Sequence, residues 1–402
     1  MVLNSTEKNF MMAVSAGIHG ESAALENADY HEIFDMALQQ KLLPFVFEAV
    51  HKTPAAKQNP ALFAAAKQQV ISQVLGQTLR SLEFEEIYKK FVEAGLRPIA
   101  VKGRICGRLY PLRDHRLSAD DDIFVCEKDF LPCHEILLRE GFSASCPEDE
   151  LLLEDEVSYK SENSAVYIEM HRRLFDSSED AHDELNGFFA DAHAHLMSTD
   201  GFFTMQPHEN LLYLILHAYK HFVGCGIGVR QFCDIALWAK KYTAEVDWAL
   251  LHNQCKSVHA DGFAAAVFEI AEKYLGIDFE PPQPWQKPDV PCEPLLKDTL
   301  CGGIYGSNDY TRLHSSTVTL NAVRSGRDGK KRGVLSSVFP KKAYMERKYA
   351  YVKKHPWLLP AAWAQRIFNY VRESGREKGN NAADSVKLAK ERIELMKMYK
   401  II

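Results

Sequence analysis

The sequence has no Cys-x-x-Cys pair, no apolar run long enough to span a bilayer and no excess of positive charge. Its nine cysteines (106, 126, 133, 146, 225, 233, 255, 292 and 301) are scattered and odd in number. That spacing suggests neither a zinc ribbon nor a disulfide framework, and a reducing cytoplasm is the expected location. The longest apolar stretches, such as Leu211–Leu216, fall far short of the about 20 residues that cross a membrane. The opening MVLNSTEKNFMMAVSAGIHG lacks a basic start and an adequate apolar segment, so neither a secretion signal nor a membrane span is expected. A net charge of −6 argues against coating of nucleic acid as the main task, because backbone binders carry a large positive excess. No repeat of solenoid type is present.

What the chain does have is bulk. Its 402 residues are 46% apolar, 25% charged and 11% aromatic. This is the composition of a soluble globular protein, long enough for two to three domains of roughly 150 residues. From Tyr30 to Ala94 apolar residues recur at helical spacing, with Gly95 placed to cap the end. The period then changes. RPIAVKG is short and β-prone, RICGRLYP can open a helix, DDDIFVC is a strand, and KDFLPCHEILLREGF is an amphipathic helix ended by Gly141. EVSYKSENSAVYIEMHRRLF follows as a hairpin turned at Glu162–Asn163. Helical periodicity returns after Met205 and is broken by the proline-rich EPPQPWQKPDVPCEP. The expected fold is α+β: a helical region over 1–80, a small mixed-sheet core over 81–205, and a helical C-terminal domain over 206–402.

The chemistry concentrates in the core. Asp120, Asp121 and Asp122 open a strand, and the period of two puts Asp120 and Asp122 on one face with Asp121 on the other. Such carboxylates repel unless a cation or proton lies between them, and oxygen ligands suit magnesium or manganese; alone, an acidic triplet also reads as a solvated turn. Glu169 lies within a later apolar strand, where an acid is costly unless it faces a site. Lys102–Gly103 ends an earlier strand.

These pieces, as AVKG, Leu109–Tyr110–Pro111, Arg116, DDDIFV and IEMH, resemble the DNA polymerase β-type nucleotidyltransferase superfold, in the branch of uncharacterised bacterial nucleotidyltransferases. DMALQQKLLPFVFEAV, LLYLILHAYKHF with QFCDIALW, and HPWLLPAAWAQRIF also look like segments of that branch. The chain departs from the superfold in having Gly103–Arg104 where Gly-Ser or Gly-Gly is common, and Asp121 where an apolar residue is usual. The resemblance implies an ATP-binding transferase that moves a nucleoside monophosphate from a nucleoside triphosphate to an unidentified acceptor, releasing pyrophosphate. Asp120, Asp122 and Glu169 are its implied catalytic residues and ligands of two Mg2+ or Mn2+ ions. Lys102, Gly103, Arg104, Arg116 and His171 are the implied nucleotide contacts. Alternatives stay open: a strand-end turn at Gly103, a packed core role for His171, and for Arg116 a structural pair with the acidic strand. A catalytically silent nucleotide-binding or antitoxin-like module is the competing reading of the whole chain.

Three weaker signals remain. His217 and His221 share a helical face, with Asp234 on the next helix, a spacing compatible with zinc or with hydrogen bonding in a helical core. GCGIGVR (224–230) links two helices and reads as a turn. Basic residues dominate Arg324–Lys354 with tyrosines interleaved, which suits either a solvated face or an anionic partner.

Overall fold

The computed structural model describes residues 2–176, 182–224, 226–278, 285, 291–302, 342, 345–346, 349–374 and 382–402. Of the basic segment 324–354, only 342, 345–346 and 349–354 are among them, so the surface expected there lies largely outside the described residues.

The N-terminal portion is helical throughout: α1 (Ser5–His19), α2 (Tyr30–Gln39), α3 (Leu43–Val50), α4 (Pro54–Gln58) and the 34-residue α5 (Pro60–Glu93). Local chemistry sets their ends. Asn4 and Glu7 form a capping box at the start of α1, and Gly20 closes it in the left-handed conformation at φ 74°. Asp29 caps α2, Pro60 starts α5, and Gly95, at φ 79°, follows its end as expected. Gly17 lets α1 close on α3, because a Cβ there would lie 2.2 Å from the Phe45 carbonyl oxygen.

The α/β core follows: β1 (Ile99–Val101), α6 (Gly103–Gly107), β2 (Asp121–Phe124), α7 (Glu127–Arg139), β3 (Ser143–Ala144), β4 (Glu156–Lys160) and β5 (Tyr167–His171). After α8 (His182–Gly187) come β6 (Met197–Thr199) and β7 (Phe202–Thr204). The seven strands form one mixed sheet in the order β3-β4-β5-β2-β1-β7-β6. β4 and β5 are the expected hairpin. β6 and β7 are a hairpin turned at Asp200–Gly201, where both φ values are positive. β1 runs antiparallel to β2, and β2 parallel to β5, with Asp122 opposite both Val101 and Glu169. After the sheet come α9 (Pro207–Val223) and α10 (Val229–Lys241), packed on each other, then α11 (Trp248–Ser257), α12 (Asp261–Leu275) and α13 (Glu293–Gly302). Helices over Ala350–Lys354, Leu359–Ser374 and Ala382–Met398 complete the described chain. No described helix is long and apolar enough to cross a membrane.

One hydrophobic core runs from Leu3 to Ile401 through both helical portions and the sheet. Polar ties cross it. Gln40 donates to the Thr299 carbonyl at 3.1 Å and accepts from the Val229 amide at 2.9 Å. Arg392, near the C-terminus, donates to the Phe222 and Gly224 carbonyls at the end of α9.

The strongest tie is ionic. Arg116 lies in the loop before β2, only 4% exposed, and its guanidinium forks onto Asp234 of α10, Nε to Oδ1 at 2.9 Å and Nη2 to Oδ2 at 2.6 Å. The Tyr110 hydroxyl donates to the same carboxylate at 2.7 Å. The buried partner of Arg116 is therefore on α10 and not on the acidic strand. The same loop is gripped from both sides: Gln77 accepts from the Ser118 amide at 2.8 Å, Arg80 donates to the Ser118 carbonyl, and Arg230 to the Leu117 carbonyl. Removing one partner of a buried pair strands the other charge, which costs about 3–5 kcal/mol, whereas an apolar replacement of both is often near neutral. Arg116→Met and Asp234→Leu should each destabilise the protein by that amount in urea unfolding, and the double variant by less than either alone.

Candidate active site

β2 and β5 place Asp122 and Glu169 side by side because they are register partners in a parallel pair, so their side chains leave the same face of the sheet. His171, two residues further along β5, returns to that face, and its Nε2 lies 3.1 Å from Asp122 Oδ1. Its Nδ1 is 3.5 Å from Glu156 of β4. Asp120 sits on the same side, just ahead of the strand, and its Oδ1 accepts from the Ser118 hydroxyl at 3.3 Å. Together with Lys102, Tyr213, His217 and His221, residues Asp120, Glu169 and His171 line a cleft of about 480 Å³ between the sheet and α9, within the usual range for a small-ligand site.

The electrostatics divide the carboxylates. Burial by itself would push Asp122 up, but the Lys102 ammonium at 2.7 Å and the His171 hydrogen bond outweigh it and hold this carboxyl well below the usual range. Glu169 goes the other way. Burial, then the charges of Asp122, Glu156 and Asp120, push it up to about 8, and it makes no hydrogen bond or salt bridge among the described residues. A carboxylate of this kind wants a proton or a cation. One ligand atom each from Asp122, Glu169 and His171 lies within 4.8 Å of the others. Two hard oxygens and an imidazole nitrogen, with one carboxylate lacking a partner, fit a divalent ion. Asp120 is outside that group of three but lines the same cleft.

Asp121 points to the other face, as the strand period requires. It is 3% exposed, Oδ2 has no hydrogen-bond partner, and burial pushes it up to about 7 against the pull of Arg80 and Arg104. Arg104 shares that rear face: it pairs with Glu85 of α5, lies 3.8 Å from Asp114 and stacks over Phe202. Neither Arg104 nor Arg116 lines the cleft.

Lys102 reaches the cleft from an unusual backbone. Its φ of 51° and ψ of −108° belong to a turn position normally held by glycine, and a side chain there costs about 1–3 kcal/mol. The positive φ thus falls on Lys102 and not on Gly103, whose added Cβ would meet Ser118, Asp120 and Asp121 only at 3.5–3.7 Å.

α9 supplies residues whose role the sequence left open. His217 Nε2 is 3.1 Å from Lys102 Nζ and 3.2 Å from His221 Nε2. Asp234 is committed to Arg116, so the His217, His221 and Asp234 set is dispersed, and the described residues form no metal group from it. Arg80, Gln77 and Arg230, which fix the loop leading into Asp120, carry no motif; their helical positions look like ordinary surface residues in sequence.

A mixed sheet that brings two acids from neighbouring parallel strands to a cleft beneath a helical layer defines a nucleotidyltransferase core. The family model described as "Uncharacterised nucleotidyltransferase" matches residues 26–276, and the chain belongs to that family. No curated protein and no solved structure matches it.

The buried histidines set a pH limit on stability. Burial, then Lys102, keeps His217 well below its ordinary value, and burial, Lys102 and Lys220 bring His221 down to about 3. Below about pH 6.5 the unfolded chain binds protons that the native state refuses, so stability falls as pH drops. The double variant His217→Gln, His221→Gln should show a shallower decline between pH 6.5 and 4 in chemical denaturation, by up to about 1.4 kcal/mol per pH unit for each proton removed from the difference.

Proposed function

We propose that the protein is a metal-dependent nucleotidyltransferase that transfers a nucleoside monophosphate from a nucleoside triphosphate, with ATP the favoured donor, to an acceptor, releasing pyrophosphate. The observation that carries this reading is the register match of Asp122 with Glu169, with Asp120 beside them at the cleft. Mg2+ or Mn2+ at these carboxylates, two ions in the full arrangement, would neutralise the phosphates and sharpen the acceptor oxygen as a nucleophile.

The chain's own residues do the rest. Asp122 and Glu169 would hold metal, with Asp120 of the same cleft completing the carboxylate set. His171 orients Asp122, while its second nitrogen is steadied by Glu156. Lys102 would pair with phosphate oxygens, with the Gly103 backbone beside them. Arg104 and Arg116 act from behind, by holding the loop and the helix that frame the acidic strand. The layer over α9 shields the cleft and offers the acceptor side. The division proposed with it is a helical region over 1–80, a catalytic core over 81–205 and a helical domain over 206–402 that contributes one wall of the site, the first boundary falling inside α5.

Thermal unfolding of wild type and Asp122→Asn, titrated with ATP, CTP, GTP and UTP under Mg2+, Mn2+ or chelator, tests this directly. Wild type should be stabilised by one or more nucleotides only with metal, and the variant should not respond. Glu169→Gln should keep the fold and lower turnover, followed with labelled nucleotide, by at least about a hundredfold, the scale on which lost transition-state electrostatics is felt. A protein that only bound nucleotide would tolerate that change. Absence of any metal-dependent shift at millimolar nucleotide would remove the catalytic reading.

A further inference from the structure

The long helix α5 is apolar on two opposite faces. Its inner face, with Phe63, Ala66, Val70, Phe84, Tyr88 and Phe91 buried, packs against α3, α4, α7 and the turn at Arg113–His115. The outer face of such a helix should be polar along its whole length. In its middle it is not: Ile71, Leu75, Leu79 and Leu82 are 48%, 56%, 58% and 55% exposed. Steps of four, four and three residues set these side chains in one row, about 16 Å long at 1.5 Å per residue. A single exposed leucine is ordinary, whereas a contiguous apolar row between polar ends marks an interaction surface. The row begins after the exposed Lys67 and Gln68 and ends before the exposed Glu86.

We propose that the row is a self-association surface, on which a second copy of this chain docks, α5 against α5, antiparallel about a twofold axis level with Gly76 and Gln77. In a twofold contact, if residue i meets residue j, then j meets i, so the row must be complementary to its own reverse. It is. About that axis Ile71 meets the partner's Leu82, and Leu75 meets the partner's Leu79. Lys67 and Gln68 then lie beside the partner's Glu86, so the ends of the row match in charge as its middle matches in apolar surface. A parallel pair would set Glu86 beside the partner's Glu86 and Lys67 beside the partner's Lys67, and like charges select against it. A shift of one helical turn would leave part of the row uncovered. No residue of α5 lines the cleft, while Gln77 and Arg80 of α5 hold the loop before β2. The pair therefore leaves the cleft open and backs the helix that holds its loop. This surface is independent of the chemistry proposed for the cleft.

Sedimentation velocity of the full chain over about 1–100 µM, the range suited to a small helix-pair interface, tests the proposal. Wild type should move from the 45.6 kDa of one chain toward twice that mass as concentration rises. The double variant Leu75→Glu, Leu79→Glu should stay at the mass of one chain throughout. Both positions face solvent, so at the lowest concentration its thermal midpoint should match that of wild type within about 2 °C. Lys67→Glu should weaken association by about threefold or more, and adding Glu86→Lys to it should restore the wild-type value. Wild type at single-chain mass across the whole range would overturn the proposal. So would a dimer that persists in Leu75→Glu, Leu79→Glu. Failure of Glu86→Lys to rescue Lys67→Glu would overturn the antiparallel register. A monomeric wild type whose Leu75→Glu, Leu79→Glu variant melts much earlier would show that the chain itself covers the row, which also overturns it.

Discussion

A carboxylate at the centre of an apolar sheet cannot stay ionised without a cation against it, and Asp122 is such a group, 3% exposed and flanked by strands on both sides. Much of the core can be understood as the answer to that requirement. Lys102 is delivered through a backbone conformation that a lysine rarely adopts, His171 returns on the neighbouring strand to donate to the same oxygen, and α9 crosses the sheet so that Tyr213 and His217 complete the ammonium's surroundings. Glu169 goes the other way: burial and the neighbouring charges of Asp122, Glu156 and Asp120 outweigh the pull of Lys102 and raise its affinity for a proton. Two adjacent acids in opposite electrostatic states make the cleft chemically asymmetric.

Holding that arrangement in register falls to groups outside the cleft. The loop before β2 is irregular, yet it determines where Asp120 and Asp122 begin, and it is secured by side chains from α5 on one side and α10 on the other. The buried Arg116–Asp234 pair with Tyr110 makes the position of the helical layer and the position of the acidic strand a single variable. A bidentate guanidinium is suited to this because its two parallel bonds fix orientation as well as distance. The continuous core from Leu3 to Ile401 explains why the helical regions are not accessories: each buries apolar surface that the sheet alone would leave exposed.

Some of this was legible in the sequence. Asn4 with Glu7 three residues later, Gly95 and Gly141 mark helix ends by local rules, and the alternation in EVSYK and YIEMH marks a hairpin. The Asp200–Gly201 turn carries a clear local signal, since Asp-Gly between β-prone residues is a preferred two-residue hairpin turn, although the strands it joins are only three residues each. The partners of Arg104 and Arg116 were not legible, for a different reason. The family resemblance implied both as nucleotide contacts; the chain turns them toward Glu85 and Asp234, 19 residues before and 118 residues after them. Nothing local in either segment encodes that choice.

The sequence by itself determined the alternation of helix, strand and hairpin, the separation of Asp121 from its two neighbours, and the family pattern around Asp122, Glu169 and His171, because these follow from backbone periodicity and from residues close together in the chain. Only the tertiary structure decided that His171 joins the acids, that Lys102 neutralises Asp122, that His217 and His221 face the cleft, and that Asp234 belongs to Arg116. Those pairings span between 20 and 118 residues, and their energies depend on burial, which no segment of sequence possesses until the other segments have folded against it.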